Sequence, residues 1–113
     1  MEELVEKYLN YLKNELNYSS YTIDNYRTDL TNFQVYLTDQ KLTLQTVDYN
    51  DMRNFLHFLY QKKYQTKTIN RHLSAIRSFF KYLQSQNEVK TNPLELITNS
   101  KEIMKIPNYL HYY

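Results

Sequence analysis

Thr66-Lys67-Thr68-Ile69-Asn70-Arg71-His72-Leu73-Ser74-Ala75-Ile76-Arg77-Ser78-Phe79-Phe80-Lys81-Tyr82-Leu83 is the stretch that decides the fold class of this 113-residue chain. Ile69, Leu73, Ile76, Phe80 and Leu83 recur at helical spacing and form one apolar stripe, with Ala75, Phe79 and Tyr82 beside it. The opposite face carries Lys67, Arg71, Ser74, Ser78 and Lys81, flanked by Asn70 and Arg77. Thr66 is expected to cap this helix, which extends to about Gln86.

Working outward, three more helices are expected. The first runs from Glu2 to about Leu16, with Leu4, Val5, Tyr8, Leu9, Leu12 and Leu16 on one face and Glu2, Glu3 and Glu6 complementing the helix dipole. The second is capped by Ser19 or Ser20 and reaches about Leu37, burying Ile23, Tyr26, Leu30, Phe33 and Leu37. Its other face holds Tyr21, Asp24, Asn25, Thr28 and Asn32. A loop from Thr38 to Val47 follows. Asp48 and Asp51 form a capping-box variant that opens the third helix, which runs to about Lys63. Asn92-Pro93 can start a short fifth helix over Leu94 to Ile97, because proline suits the first helical position. Thr22-Ile23 matches Thr68-Ile69 at a spacing of 46, and Leu30, Phe33, Tyr36 and Leu37 match Ile76, Phe79, Tyr82 and Leu83. Two helical hairpins packed crosswise, with the second and fourth helices in equivalent roles, account for this repeat.

Composition agrees. The chain has no Gly and two Pro, both late, which favours an all-helical domain. Without Gly there is no phosphate-cradling Gly-rich loop and no dinucleotide fingerprint. Without Cys there is no disulfide framework or thiolate site. His57, His72 and His111 lack metal-ligand spacing, so neither metal nor cofactor is expected. His57 and His72 read best as helix-packing residues. No run approaches the ~20 apolar residues of a membrane span, and no signal peptide is visible, so the chain reads as cytoplasmic. Tyr (13), Asn (12) and Lys (10, against 4 Arg) are common. Their codons are AT-rich, so base composition is a sufficient cause for many of the tyrosines.

Charge is segregated. Residues 1–60 hold 5 basic and 9 acidic residues, whereas residues 61–90 hold 7 basic and a single acidic one, Glu88. The fourth helix is therefore a basic element on a mildly acidic body. Lys and Arg bond phosphates and guanine edges, Asn and Ser bond bases or phosphate, and an α-helix fits the major groove. The Thr66 and Thr68 hydroxyls and free N–H groups at the helix start add a phosphate site. A plain solvated face is the competing reading.

The motifs also resemble a family. Ser19-Ser20-Tyr21-Thr22-Ile23-Asp24-Asn25-Tyr26-Arg27-Thr28-Asp29-Leu30-Thr31-Asn32-Phe33 is similar to the S-x-x-T-x-x-x-Y-x-x-D-L-x-x-F pattern of phage-integrase and Xer-type tyrosine recombinases, in their N-terminal core-binding (SAM-like) domain. Residues 66–83 resemble the family's T-I-x-R-x-L-S-A-I-R-x-F-x-x-Y-L signature, Asn92-Pro93 its N-P, and Lys105-Ile106-Pro107-Asn108-Tyr109-Leu110 its K-x-P-x-x-L. The resemblance implies a DNA-binding domain, residues 1–97, and a linker, 98–113, toward a catalytic domain that this chain does not carry. The chain itself is then expected to be no enzyme and to have no catalytic residues. Tyr112 and Tyr113 have no Arg/His constellation around them and read as connector residues.

The resemblance further implies a C-shaped clamp on a recombination half-site. Thr22, Asn25 and Thr28 then fall where the second helix approaches double-stranded DNA, and Lys67, Thr68, Arg71 and Ser74 where the fourth does. With Thr66, Asn70, Arg77 and Lys81 from the charge projection, these make up the expected DNA-binding set. Asp24 and Asp29, against Arg27 alone, weaken the second helix's part. Removing Lys67 and Arg71 together is expected to leave the fold intact, since both point away from the apolar stripe. The implied partners are the protein's own catalytic domain and other protomers in a synaptic tetramer, the isolated domain being monomeric. Tyr8 and Tyr11 could pair protomers, but core packing or plain exposure explains them equally well. An alternative is a helical protein–protein module using Tyr8, Tyr11, Tyr21, Tyr49, Tyr60 and Tyr64. A helix-turn-helix regulator fits less well, because the third and fourth helices read as a hairpin pair.

Overall fold

A computed structural model describes residues 2–94, and the described chain is all-helical. Its four helices are α1 (Glu2–Asn14), α2 (Ser20–Asp39), α3 (Tyr49–Gln61) and α4 (Thr66–Ser85). α2 and α3 begin at local side-chain caps. The Ser19 hydroxyl accepts the Thr22 N–H and opens α2. Asp48 and Asp51 exchange backbone N–H bonds at 2.9 and 3.0 Å, the reciprocal capping box read from the sequence. The α4 cap differs from expectation. Gln65, not Thr66, takes the cap position, with extended backbone and no side-chain cap bond. Thr66 is already the first helical residue, so its hydroxyl does not close the helix end. The expected fifth helix starts at the last described residue and otherwise lies outside the described residues. Asn92 Oδ1 accepts the Leu94 N–H at 2.9 Å across Pro93, and Asn92 Nδ2 reaches the Arg77 carbonyl of α4 at 3.4 Å.

The internal repeat has a structural counterpart. α2 and α4 are both 20 residues long and start 46 residues apart. With no glycine available, four other residues take left-handed backbone after the helices: Asn17, Lys41, Lys63 and Asn87. They too fall in pairs 46 apart. Leu42 N–H bonds the Leu37 carbonyl and Glu88 N–H bonds the Leu83 carbonyl, both at 2.9 Å, in the same six-to-one closure. A side chain with a Cβ is strained there, and glycine is not. Lys41→Gly is therefore expected to stabilise the fold by about 0.5–1 kcal/mol, read as a higher urea midpoint with unchanged slope. A lower midpoint would contradict this account of the turn.

The core is one cluster, built from two aromatic groups that meet at Phe79 and Phe80. Tyr8 of α1 packs against Phe79 (5.4 Å between ring centroids), Tyr82 (5.3 Å) and Tyr26 (6.4 Å), joining α1 to α2 and α4. Phe33 of α2 meets Phe55 edge-on at 5.4 Å and Phe80 at 6.1 Å, joining α2 to α3 and α4. Such pairs contribute about 0.5–1.5 kcal/mol each beyond the area they bury. Burial pushes the Tyr8, Tyr26 and Tyr36 phenols up from their ordinary value. The segment between α2 and α3 is not a bare loop: Leu44 and Val47 are buried in the same cluster.

Candidate nucleic-acid interface

The α4 stripe faces inward as its spacing requires. Ile69, Leu73, Ile76, Phe80 and Leu83 are all buried. Helical geometry then turns Lys67, Arg71, Ser74 and Lys81 outward, and all four are exposed, as is Thr66. Thr68, Asn70 and Arg77 are half-buried. Asn70 and Arg77 also have partners within the protein. On α2, Thr28 is exposed and its hydroxyl donates to the Asp24 carbonyl at 3.1 Å, whereas Thr22 and Asn25 are half-buried. The Thr22 hydroxyl is engaged with Ser19 at 3.0 Å.

The exposed α4 face is not uniform. Its C-terminal part, Ser78 and Lys81, lines an open groove of about 420 Å³ with Tyr8, Tyr11, Tyr18 and Tyr82. Its N-terminal part, Lys67 to Ser74, lies where α4 packs on α2. The helices are fastened there by polar contacts that the sequence did not disclose. Arg71 donates from Nε to Asp29 Oδ2 at 3.0 Å and from Nη2 to Asp29 Oδ1 at 2.9 Å. The Asp29 carboxylate is fully buried, while the Arg71 side chain keeps 41% of its surface in solvent. This two-point bond raises the Arg71 pKa further above its ordinary value.

His72 completes the cluster. It is buried beside Asp29, with Nε2 at 3.4 Å from Oδ1. His72 Nδ1 lies 2.9 Å from the Thr68 carbonyl and Nε2 lies 3.2 Å from Asn32 Nδ2. A hydrogen on Nδ1 satisfies both contacts: it donates to the carbonyl, and Nε2 accepts from the amide. Tyr64 stacks on the ring at 5.5 Å.

Three sequence readings change. Asp29 is not a surface acid that weakens α2; it is interior and bonded to α4. Arg71 is not free of the packing, so its removal bears on the fold as well as on the surface. Arg27, counted as the base of α2, is paired with Glu6 of α1. The tyrosine surface of the alternative reading also shrinks. Tyr8 is 2% exposed, and Tyr49, Tyr60 and Tyr64 pack half-buried against the core, leaving Tyr11 and Tyr21 outside. The packing reading of His72 is the one the structure supports. A signal for Asp29 and His72 was present. Asp29 falls on the row Tyr26–Asp29–Leu30–Phe33 and His72 on Ile69–His72–Leu73–Ile76, so both occupy core positions of their stripes.

Among the described residues, no helix is long and apolar enough to cross a membrane, and no group of three or more His, Cys, Asp or Glu is placed to hold a metal ion.

Comparison with known proteins assigns this architecture. Residues 5–87 match the family described as phage integrase, N-terminal SAM-like domain. Curated relatives include the tyrosine recombinase XerC of Staphylococcus saprophyticus, 33% identical over 98% of this chain and 38% of the relative. Those of Staphylococcus haemolyticus and Staphylococcus carnosus are each 32% identical over the same share of this chain. The chain thus spans a little over a third of the length of these recombinases. Four helices in this order, with a basic α4 fastened across α2, therefore form a known type of domain: the chain belongs to the phage-integrase N-terminal SAM-like domain family.

Proposed function

We propose that this domain binds double-stranded DNA as the clamping half of a site-specific tyrosine recombinase. The observation that carries the reading is the exposed run Lys67, Arg71 and Ser74 on α4, packed beside the polar row of α2 in the most basic part of the chain. The family and the recombinase names of its relatives support it. In this reading residues 1–97 form the binding unit, and residues 98–113 lead toward a catalytic half that supplies the chemistry. Thr22, Asn25 and Thr28 approach from α2. Thr66, Lys67, Thr68, Asn70, Arg71, Ser74, Arg77 and Lys81 approach from α4. Positioning falls to the cations, which displace counterions from phosphates, and the short polar side chains bond at close range. About four to six phosphate contacts give a salt slope of about −4 to −5, so binding is weak at moderate salt. Other protomers on the same DNA are further partners in this reading.

The test is a titration of the isotope-labelled chain with a short AT-rich duplex at low and then moderate salt. Amide shifts are expected to cluster at residues 20–28 and 66–78 and to collapse as salt rises. Lys67→Ala should weaken binding evenly across sequences and reduce the salt slope by about one. No movement at low salt would overturn the reading, and the exposed basic face would then be a solvated surface.

A further inference from the structure

Arg71 is held in a two-point arrangement on α4. Its Nε and Nη2 edge is committed to Asp29 at 3.0 and 2.9 Å. A guanidinium is planar and carries five N–H groups in a fixed fork. When a carboxylate takes the side edge, the end edge still points one N–H of Nη1 and one of Nη2 in parallel, away from the carboxylate. That end edge matches two acceptors side by side, and the side chain is 41% exposed. Asp29 is itself held fast: it is fully buried, and His72, fixed by Thr68 and Asn32, stands against it.

The charge balance matters as much as the geometry. Asp29 largely cancels the charge of Arg71, so Arg71 gains less than Lys67 from a phosphate, where counterion release provides the affinity. What Arg71 keeps is direction. A neutralised, oriented fork suits the O6 and N7 acceptors of guanine in the major groove, the paired acceptors that an arginine reads two-pointed.

We propose that Arg71 is the base-reading residue of this domain, specific for guanine, and that Asp29 is its positioning residue. The proposal rests on the DNA-binding reading above. Lys67 and Arg71, one helical turn apart, then divide the work between sequence-blind attraction and sequence preference.

The experiment selects duplexes from a random-sequence library with the 113-residue chain at low salt and compares it with Arg71→Lys and Asp29→Asn. The unaltered chain is expected to enrich guanine at one position by roughly tenfold to a hundredfold. Arg71→Lys keeps the charge and can still pair with Asp29, but it has no fork. It should still bind the unselected library, though more weakly than the unaltered chain, and lose the guanine preference. Asp29→Asn, checked for a cooperative melt, should lose the same preference. It should bind the unselected library at least as well, because a negative charge is gone. A guanine preference that survives Arg71→Lys overturns the proposal. So does an unaltered chain that binds duplexes without base preference, which leaves the DNA-binding reading standing. An unaltered chain that binds no duplex at all overturns both.

Discussion

Phe33→Ala is expected to remove about 3–5 kcal/mol of stability, the largest loss of any single substitution considered in this domain. Phe33 is fully buried, and its ring is the joint between α2, Phe55 of α3 and Phe80 of α4. Alanine leaves a cavity that three helices cannot close together, because each is also fixed by other core residues. Small domains hold only about 5–15 kcal/mol in total. At this size a loss of 3–5 kcal/mol lowers the thermal midpoint by roughly 15–30 °C. A calorimetric midpoint within about 5 °C of the unaltered protein would contradict the central place given to this ring.

Arg71→Ala comes second, and it reverses the expectation drawn from sequence. Truncating the arginine strands a fully buried carboxylate. Breaking a buried ion pair from one side costs about 3–5 kcal/mol. Arg71 is partly in solvent, so the expected loss here is smaller, about 2–3 kcal/mol. Urea unfolding of Arg71→Ala measures it. Adding Asp29→Asn to Arg71→Ala should recover part of the loss, since the stranded charge is removed. A loss below about 0.5 kcal/mol, or a double variant less stable by the plain sum of its parts, would show that the pair does not fasten α2 to α4. DNA-binding losses in Arg71→Ala have to be measured at a temperature where the variant is folded.

The helices were legible because their signals are periodic and local. The α4 stripe, the Ser19 cap and the Asp48–Asp51 box each follow from residues within one or two turns of one another. The repeat of 46 was legible too, because equivalent burial selects equivalent apolar residues at Phe33 and Phe79 or Leu37 and Leu83. Asp29–Arg71 was not, because it joins residues 42 positions apart, and an acid on a helix is usually in water. Its place on the apolar row was the available clue. The outward set of Lys67, Ser74 and Lys81 followed from the same projection that placed the core. Gln65 escaped notice as a cap because it makes no cap bond that a residue preference could reveal.

The 46-residue repeat also shapes how quickly this chain can find its native state. Within each hairpin, α1 with α2 and α3 with α4, the partners are joined by a short turn and can meet early, on the microsecond scale of local helix pairing. Joining Asp29 of α2 to Arg71 of α4 is a different event, because it closes a loop of 42 residues. That closure alone costs about 3 kcal/mol. The seam where Arg71 meets Asp29 is thus a long-range step of assembly. The surface that α2 and α4 present together comes into being only when the two halves of the chain have docked.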